Sequence, residues 1–225
     1  DRQYTCQAAS KARRSSQTAQ WHILEALTRW IAPVLSFTAE ELWGFLPGER
    51  EDSVLLATHY TGLQGLAEDA TPSAQDWACI LAVRDEVLLA LEKLRRSGER
   101  ETRENPDSSF MSKSSGIGAN LDAEVDIYAD DQTLSVFELL NDELHFVLIT
   151  SYARVHPLSA RPAECAVVQL ANGSKIAIAA KASLHRKCIR CWLRREDVGS
   201  HAAHPELCGR CVENVDGAGE VRQYA

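Results

Sequence analysis

The sequence predicts a mainly α-helical protein that carries a small α/β unit and ends in a module closed around a metal. Three observations predict it. Apolar residues recur at helical spacing through residues 1–100, alternation and short apolar runs replace that period after residue 118, and two Cys-x-x-Cys pairs lie near the C-terminus.

Residues 5–31 read as the first long helix, with an apolar stripe through Ala12, Ala19, Ile23, Leu27 and Trp30, and Pro33 interrupts it. The next helix is announced by Thr38, a residue able to cap free N–H groups, with Glu41 at the capping-box position. A third begins with Thr71 as N-cap and Pro72 at the first helical position. Its stripe is Trp77, Ile80, Leu81, Val87, Leu88, Leu91 and Leu94. The last turn is basic (Lys93, Arg95, Arg96), as the helix dipole favours, and Gly98 marks the stop. Residues 1–100 are therefore predicted to be a helical bundle.

Residues 101–118 are polar, Ser-rich and without period, the pattern of a linker or mobile loop. A small α/β unit is predicted over 119–182. It opens where Leu121, Ala123, Val125, Ile127 and Ala129 alternate with Asp122, Glu124, Asp126 and Tyr128, as in a half-buried strand. A short helix around 134–142 leads to the apolar run 145–150, long enough for a buried strand. Two β-rich runs then flank Asn172-Gly173, a pair that accepts the positive φ angles of a tight hairpin turn.

Residues 183–225 hold the chemistry. Cys188 and Cys191 form one Cys-x-x-Cys pair, Cys208 and Cys211 another, with 16 residues between them. Two thiolates three apart can bite one ion if the backbone turns tightly, and two such knuckles complete a tetrahedral site with no open position. A closed site of this kind is structural and holds no metal-bound water for hydrolysis. The segment has too few large apolar side chains to hold itself folded, so one structural zinc ion decides whether it folds. His201 and His204 take supporting or surface positions, since four sulfurs already satisfy the ion. The other three cysteines, Cys6, Cys79 and Cys165, are scattered, and an odd total of 7 argues for a reducing compartment and a metal over disulfides.

Composition is that of an ordinary globular protein, and no apolar run reaches the length of a membrane span. No charged-then-apolar leader follows Asp1, so the expected location is cytoplasmic with no membrane partner, and the missing initiator Met suggests a piece of a longer chain. The net charge of −8 repels nucleic acid overall, so polyanion binding falls to local basic patches. Arg186, Lys187, Arg190, Arg194 and Arg195 supply one, with Trp192 beside them as a plane on which an unpaired base can stack or as packing over the knuckle. Lys11, Arg13 and Arg14 supply a smaller one, for which a solvated face is the plain alternative.

The run from Lys187 to Gly199, followed by His204 through Ala225, strongly resembles the C-terminal zinc module of bacterial isoleucyl-tRNA synthetases, down to the closing Gly-x-Gly-Glu-x-Arg-x-Tyr-Ala. Residues 1–49 look like the start of that family's anticodon-binding helical bundle, and the stretches 121–129 and 142–155 are similar to its connecting unit. The resemblance implies anticodon-end recognition of the isoleucine tRNA by a monomer, with no DNA partner. It implies Cys188, Cys191, Cys208 and Cys211 as zinc ligands, and Lys11, Arg13, Arg14, Lys187, Arg190, Trp192, Arg194 and Arg195 as RNA contacts. It further implies that ATP and Mg2+ serve only a catalytic domain outside this chain, which carries no catalytic residue and is inactive alone. Met111-Ser-Lys113-Ser tempts comparison with a synthetase nucleotide signature, but it lacks the leading Lys and the strands that should precede it. A structural zinc adaptor, a freestanding RNA-binding paralogue and, more remotely, a formamidopyrimidine-type DNA glycosylase fragment stay open as alternatives.

Overall fold

The structure, a computed structural model, describes residues 1–104 and 116–224, the side chains of 99–104 excepted. The Met111–Ser114 stretch and most of the predicted linker lie outside the described residues. The chain forms two compact units, Arg2–Ala67, and Glu68–Ala225 together with Asp1.

The smaller unit comprises α1 (Arg2–Thr5), α2 (Lys11–Ile31), α3 (Ser36–Phe45) and a 3-10 turn at Val54–Leu56. The long helix starts at Lys11, not at residue 5, because Ser10 caps it: Ser10 Oγ accepts from the Arg13 N–H at 3.2 Å. The predicted capping box at Thr38 does not form. The chain turns directly out of α2 through Leu35 N–H to Ile31 O at 2.7 Å, and Ala39 N–H already donates to Leu35 O, which leaves Thr38 inside the helix. The core is Ala32, Ala39, Trp43, Leu46 and Val54, with Trp43 Nε1 donating to Glu51 O at 2.7 Å. The stripe predicted on α2 is largely not the buried one: Ile23, Leu27 and Trp30 are 57%, 42% and 53% exposed, whereas Ala26 and Thr28 are fully buried. Small side chains on that face let α3 lie close, and three short elements bury only one narrow face of a 21-residue helix.

In the larger unit, α4 (Ala74–Glu104) packs on a four-stranded sheet ordered β2-β1-β4-β3. The predicted break after residue 100 is displaced for this reason. Ile80, Val83, Val87 and Leu91 on α4 share one core with Val125, Ile127 and Ile176 of the sheet, so the helix belongs with the strands. Leu81 is 45% exposed and Val83 fills the stripe in its place. Ser73, not Thr71, caps α4, exchanging hydrogen bonds with Asp76. Gly98 does not stop the helix, since Glu and Arg beyond it are strong helix formers. Its glycine serves packing: a Cβ there would sit 2.3 Å from Gly116 Cα.

Strands β1 (Ala123–Ala129) and β2 (Tyr152–Pro157) are parallel, and β4 (Lys175–Ala182) is antiparallel to β1 and to β3 (Val167–Gln169). Between β1 and β2 the chain forms α5 (Asp131–Glu138) and α6 (Leu144–Leu148). The apolar run 145–150 is thus helical where a strand was predicted, and the strand follows it. Periodicity cannot separate a short buried helix from a short buried strand. Ile149, in the left-handed region at φ 57°, ends α6 and turns the chain into β2. The hairpin at Asn172-Gly173 forms as expected, although of the two residues only Gly173 takes a positive φ. The C-terminal tail is pinned: Glu143 accepts from the Gln223 and Tyr224 N–H groups at 2.6 and 2.8 Å, and Arg222 pairs with Asp1.

Candidate metal centre

The last strands and helix gather the four cysteines. A two-stranded ribbon, β5 (Arg186–Lys187) with β6 (Arg194–Arg195), carries Cys188 and Cys191 in its loop. The loop closes tightly: Trp192 N–H donates to Cys188 O, and Cys188 N–H to Leu193 O, both at 2.9 Å. The second pair sits at the start of α7 (Gly209–Asp216), with Cys208 as N-cap and Cys211 in the first turn. Ile189 N–H bonds to Glu206 O at 3.2 Å and ties the two halves together.

All four sulfurs are buried and lie within 4.8 Å of one another, the sole such cluster among the described residues. Zn–S bonds of ~2.3 Å in a tetrahedron set sulfurs about 3.8 Å apart. The Cys191 and Cys208 sulfurs are 3.7 Å apart, so the cage fits a zinc ion. Two donors already face the sulfurs as they would face thiolates: Cys208 N–H to Cys188 Sγ at 3.4 Å and the Arg190 guanidinium to Cys211 Sγ at 3.8 Å. A divalent cation held by all four sulfurs favours their thiolate forms. The surrounding core is slight, with Leu193 and Val198 buried and Leu121, Phe146 and Leu207 partly so. His204 pairs with Asp216 at 2.5 Å and is not in the cage.

The basic residues around this centre differ sharply in what they touch. Arg194 donates from Nε to Asp122 at 2.9 Å and from Nη1 to His185 O at 3.2 Å, and Lys187 reaches the same Asp122 oxygen at 3.3 Å. Burial pushes the Asp122 carboxyl up, but hydrogen bonds from Arg194 and Lys187 outweigh it and hold the group low. These two cations brace the module against the 3-10 turn at Asn120–Asp122. Arg186 reaches Val198 O at 3.5 Å. Arg195 is placed otherwise, with its guanidinium 4.4 Å from the Tyr152 ring centre and 2.9 Å from His145 Nε2. Trp192 is 61% exposed and adopts φ 65°, a region that costs a bulky L-residue roughly 1–2 kcal/mol. In the smaller unit Lys11 and Arg14 are exposed on the first turn of α2 and Arg13 is half-buried. Sequence reasoning missed His145 and Tyr152. Only the alternation of Tyr152, Arg154 and His156 along one strand face signalled the latter.

Residues 1–112 match the family model described as the anticodon-binding domain of tRNA ligase, and residues 186–214 match that of the zinc finger found in FPG and IleRS. Over 225 residues the chain is 51% identical to the isoleucine–tRNA ligase of Pseudomonas aeruginosa strain PAO1 and 49% identical to those of Nitrosococcus oceani and Azotobacter vinelandii. Each alignment covers 100% of this chain and 22% of the relative, whose C-terminal part it matches. Among the described residues no helix is long and apolar enough to cross a membrane.

Proposed function

We propose that the chain is part of an isoleucine–tRNA ligase, to whose C-terminal part it is 51% identical, and that it is the segment that grips the anticodon end of the isoleucine tRNA. Because it spans about a fifth of its relatives' length, adenylate formation and aminoacyl transfer fall to other parts of such an enzyme. This segment supplies binding. In this reading the anticodon-binding segment is residues 1–100, of which only Arg2–Ala67 form a unit of their own while α4 packs with the sheet, 119–182 are the connecting unit and 183–225 the zinc module.

Cys188, Cys191, Cys208 and Cys211 would hold one zinc ion. Its contribution when bound is structural, since four thiolates fill the tetrahedral shell and leave no position for water. The loop between Cys188 and Cys191 is thereby fixed, and with it the direction in which Trp192 points.

The observation that carries this function is Trp192 itself. A large apolar ring, more than half exposed, sits at a backbone angle that favours glycine, beside a closed metal cage. Packing does not account for that choice; an aromatic plane offered to an unpaired base does. Arg195 accompanies it as a phosphate contact, with Lys11, Arg13 and Arg14 contributing from the first turn of α2. Arg190, Arg194 and Lys187 act mainly within the module, holding Cys211 and Asp122.

Trp192→Ala tests the reading. Alanine pays the same left-handed backbone cost, so the loop should keep its shape and its metal. Loss of a stacked base is worth about 1–3 kcal/mol, hence a complex with isoleucine tRNA weaker by about fivefold to 150-fold at an unchanged salt slope. A folded, zinc-loaded variant that binds this tRNA as before would remove Trp192 from the site.

A further inference from the structure

The open face of the sheet beside the cysteine cluster carries a second basic surface. Strand register aligns Tyr152, Glu124 and Lys181 in one row across β2, β1 and β4, with Arg154 and Asp126 in the next. Residues paired across strands share a face. The opposite face, with Val125 and Ile127, is covered by the helices. Glu124 is only 4% exposed, and its carboxylate accepts from Ser183 Oγ at 2.8 Å and Arg154 Nη2 at 2.9 Å. Lys181 Nζ and His185 Nε2 lie 3.9 and 3.5 Å from it. One sunken carboxylate thus fixes three basic side chains at the surface. Asp126, in the next row, is engaged by His156 at 2.8 Å and Arg154 at 3.8 Å.

Arg195 reaches the same surface from β6. Its guanidinium lies over the Tyr152 ring, as Arg154's does at 4.8 Å. The hydrogen-bond partner of Arg195 is a neutral group. His145 Nδ1 is 2.7 Å from the Asp142 carbonyl oxygen, which only accepts, so Nδ1 carries the proton and Nε2 offers its lone pair to Arg195 Nη2. Burial, and after it the Arg195 guanidinium, push the His145 pKa down to about 3, so the ring stays neutral. Among the described residues no carboxylate lies within ion-pair distance of Arg195, in contrast to Arg194 with Asp122. Arg195 is therefore oriented on both sides while its charge stays uncompensated.

We propose that Arg195, Tyr152, Arg154 and Lys181 form a binding surface for the RNA phosphodiester backbone, continuous with the cysteine module, and that His145 is the positioning residue of Arg195. The proposal rests on the tRNA-binding reading above and extends it from the Trp192 loop onto the sheet. Charge complementarity selects the ligand. Arg154 and Lys181 meet the sunken Glu124, Arg154 also lies 3.8 Å from Asp126, and Arg195 adds over the Tyr152 ring a third permanent cation that has no carboxylate within ion-pair distance among the described residues; guanidinium groups match phosphate oxygens in planar, two-pronged fashion.

The test uses the zinc-loaded chain and a fluorescent RNA stem-loop bearing the isoleucine anticodon, titrated at salt from about 50 to 200 mM. Arg195→Gln should weaken binding about tenfold and make the log–log salt slope shallower by about one. Lys181→Gln should make the slope shallower likewise with a smaller affinity loss, and its 64% exposed side chain makes it safe for folding. His145→Phe keeps the charge of Arg195 but frees its direction, so affinity should fall while the slope stays. Zinc content and melting temperature accompany each variant. Wild-type affinity and slope in folded Arg195→Gln and Lys181→Gln overturn the proposal; if Arg195→Gln does not fold, Lys181→Gln decides alone. Weakening by Trp192→Ala with neither of these effects leaves the tRNA reading standing and removes this surface. A wild-type chain that ignores the stem-loop removes both.

Discussion

Stripping the metal from the four cysteines should unfold one end of the larger unit and leave the rest intact. Among the described residues the cysteine module's own aliphatic side chains in this core are Leu193 and Val198, buried, and Leu207, partly buried, while Leu121 and Phe146 pack on it from earlier in the chain. At ~2 kcal/mol each the module's own three contribute about 6 kcal/mol, against roughly 10–16 kcal/mol for a structural zinc ion. The sheet owes nothing to the ion: Val125, Ile127, Leu148 and Ile176 are fully buried in a core shared with α4. Amide hydrogen exchange before and after chelation reads both halves at once. The Cys188, Ile189 and Trp192 N–H groups, each bonded across the cysteine loops, should lose protection by several orders of magnitude. The amides that pair β1 with β4 should keep theirs. Equal protection of Trp192 in zinc-loaded and metal-free protein would refute the reasoning, because the loop would then be folding on its apolar residues alone.

Two further outcomes follow from the ion pairs. Arg194→Ala should cost about 1–2 kcal/mol in denaturant unfolding, since it strips Asp122 of its closest partner at a site 31% exposed, and should leave RNA affinity nearly unchanged. Acid should destabilise the larger unit. Asp122 and Glu124 are both held below their ordinary values of 3.8 and 4.5, the hydrogen bonds of Arg194 and Lys187, and of Ser183 and Arg154, outweighing burial. A lowered folded-state pKa gives stability that is complete above the ordinary value and is lost as pH falls through the folded value. Melting temperature should therefore drop below about pH 4.5, and Asp122→Asn should reduce that drop; an acid limb unchanged by the substitution would rule Asp122 out as a contributor.

Local chemistry made part of this molecule legible and tertiary packing hid the rest. The four-cysteine cluster could be read from spacing alone, because Cys-x-x-Cys pairs impose their own geometry. Strand β1 was legible because alternation from Ala123 to Ala129 has one meaning, with all four of its apolar members buried. The run from His145 to Thr150 carried no period, and a left-handed Ile149 that ends a five-residue helix has no sequence signature. Helix α4 was recognised, but not its partner: a stripe such as Ile80, Val87 and Leu91 says that something covers it, not whether a helix or a sheet does. At the surface, a run of cations looked uniform in sequence. Only the positions of Asp122 and His145 separate Arg194, spent on an internal ion pair, from Arg195, whose charge stays available. That distinction depends on residues 50 and 72 positions away, beyond the reach of any local pattern.

Binding of the zinc-loaded chain to the isoleucine anticodon stem-loop, measured beside a stem-loop of the same length with a changed anticodon, tests the central claim most directly. Saturable binding of the first, clear weakening for the second, and loss of the difference on chelation are the predicted results. Equal affinity for both stem-loops, with and without zinc, would contradict the assignment of this chain as the anticodon-gripping part of an isoleucine–tRNA ligase.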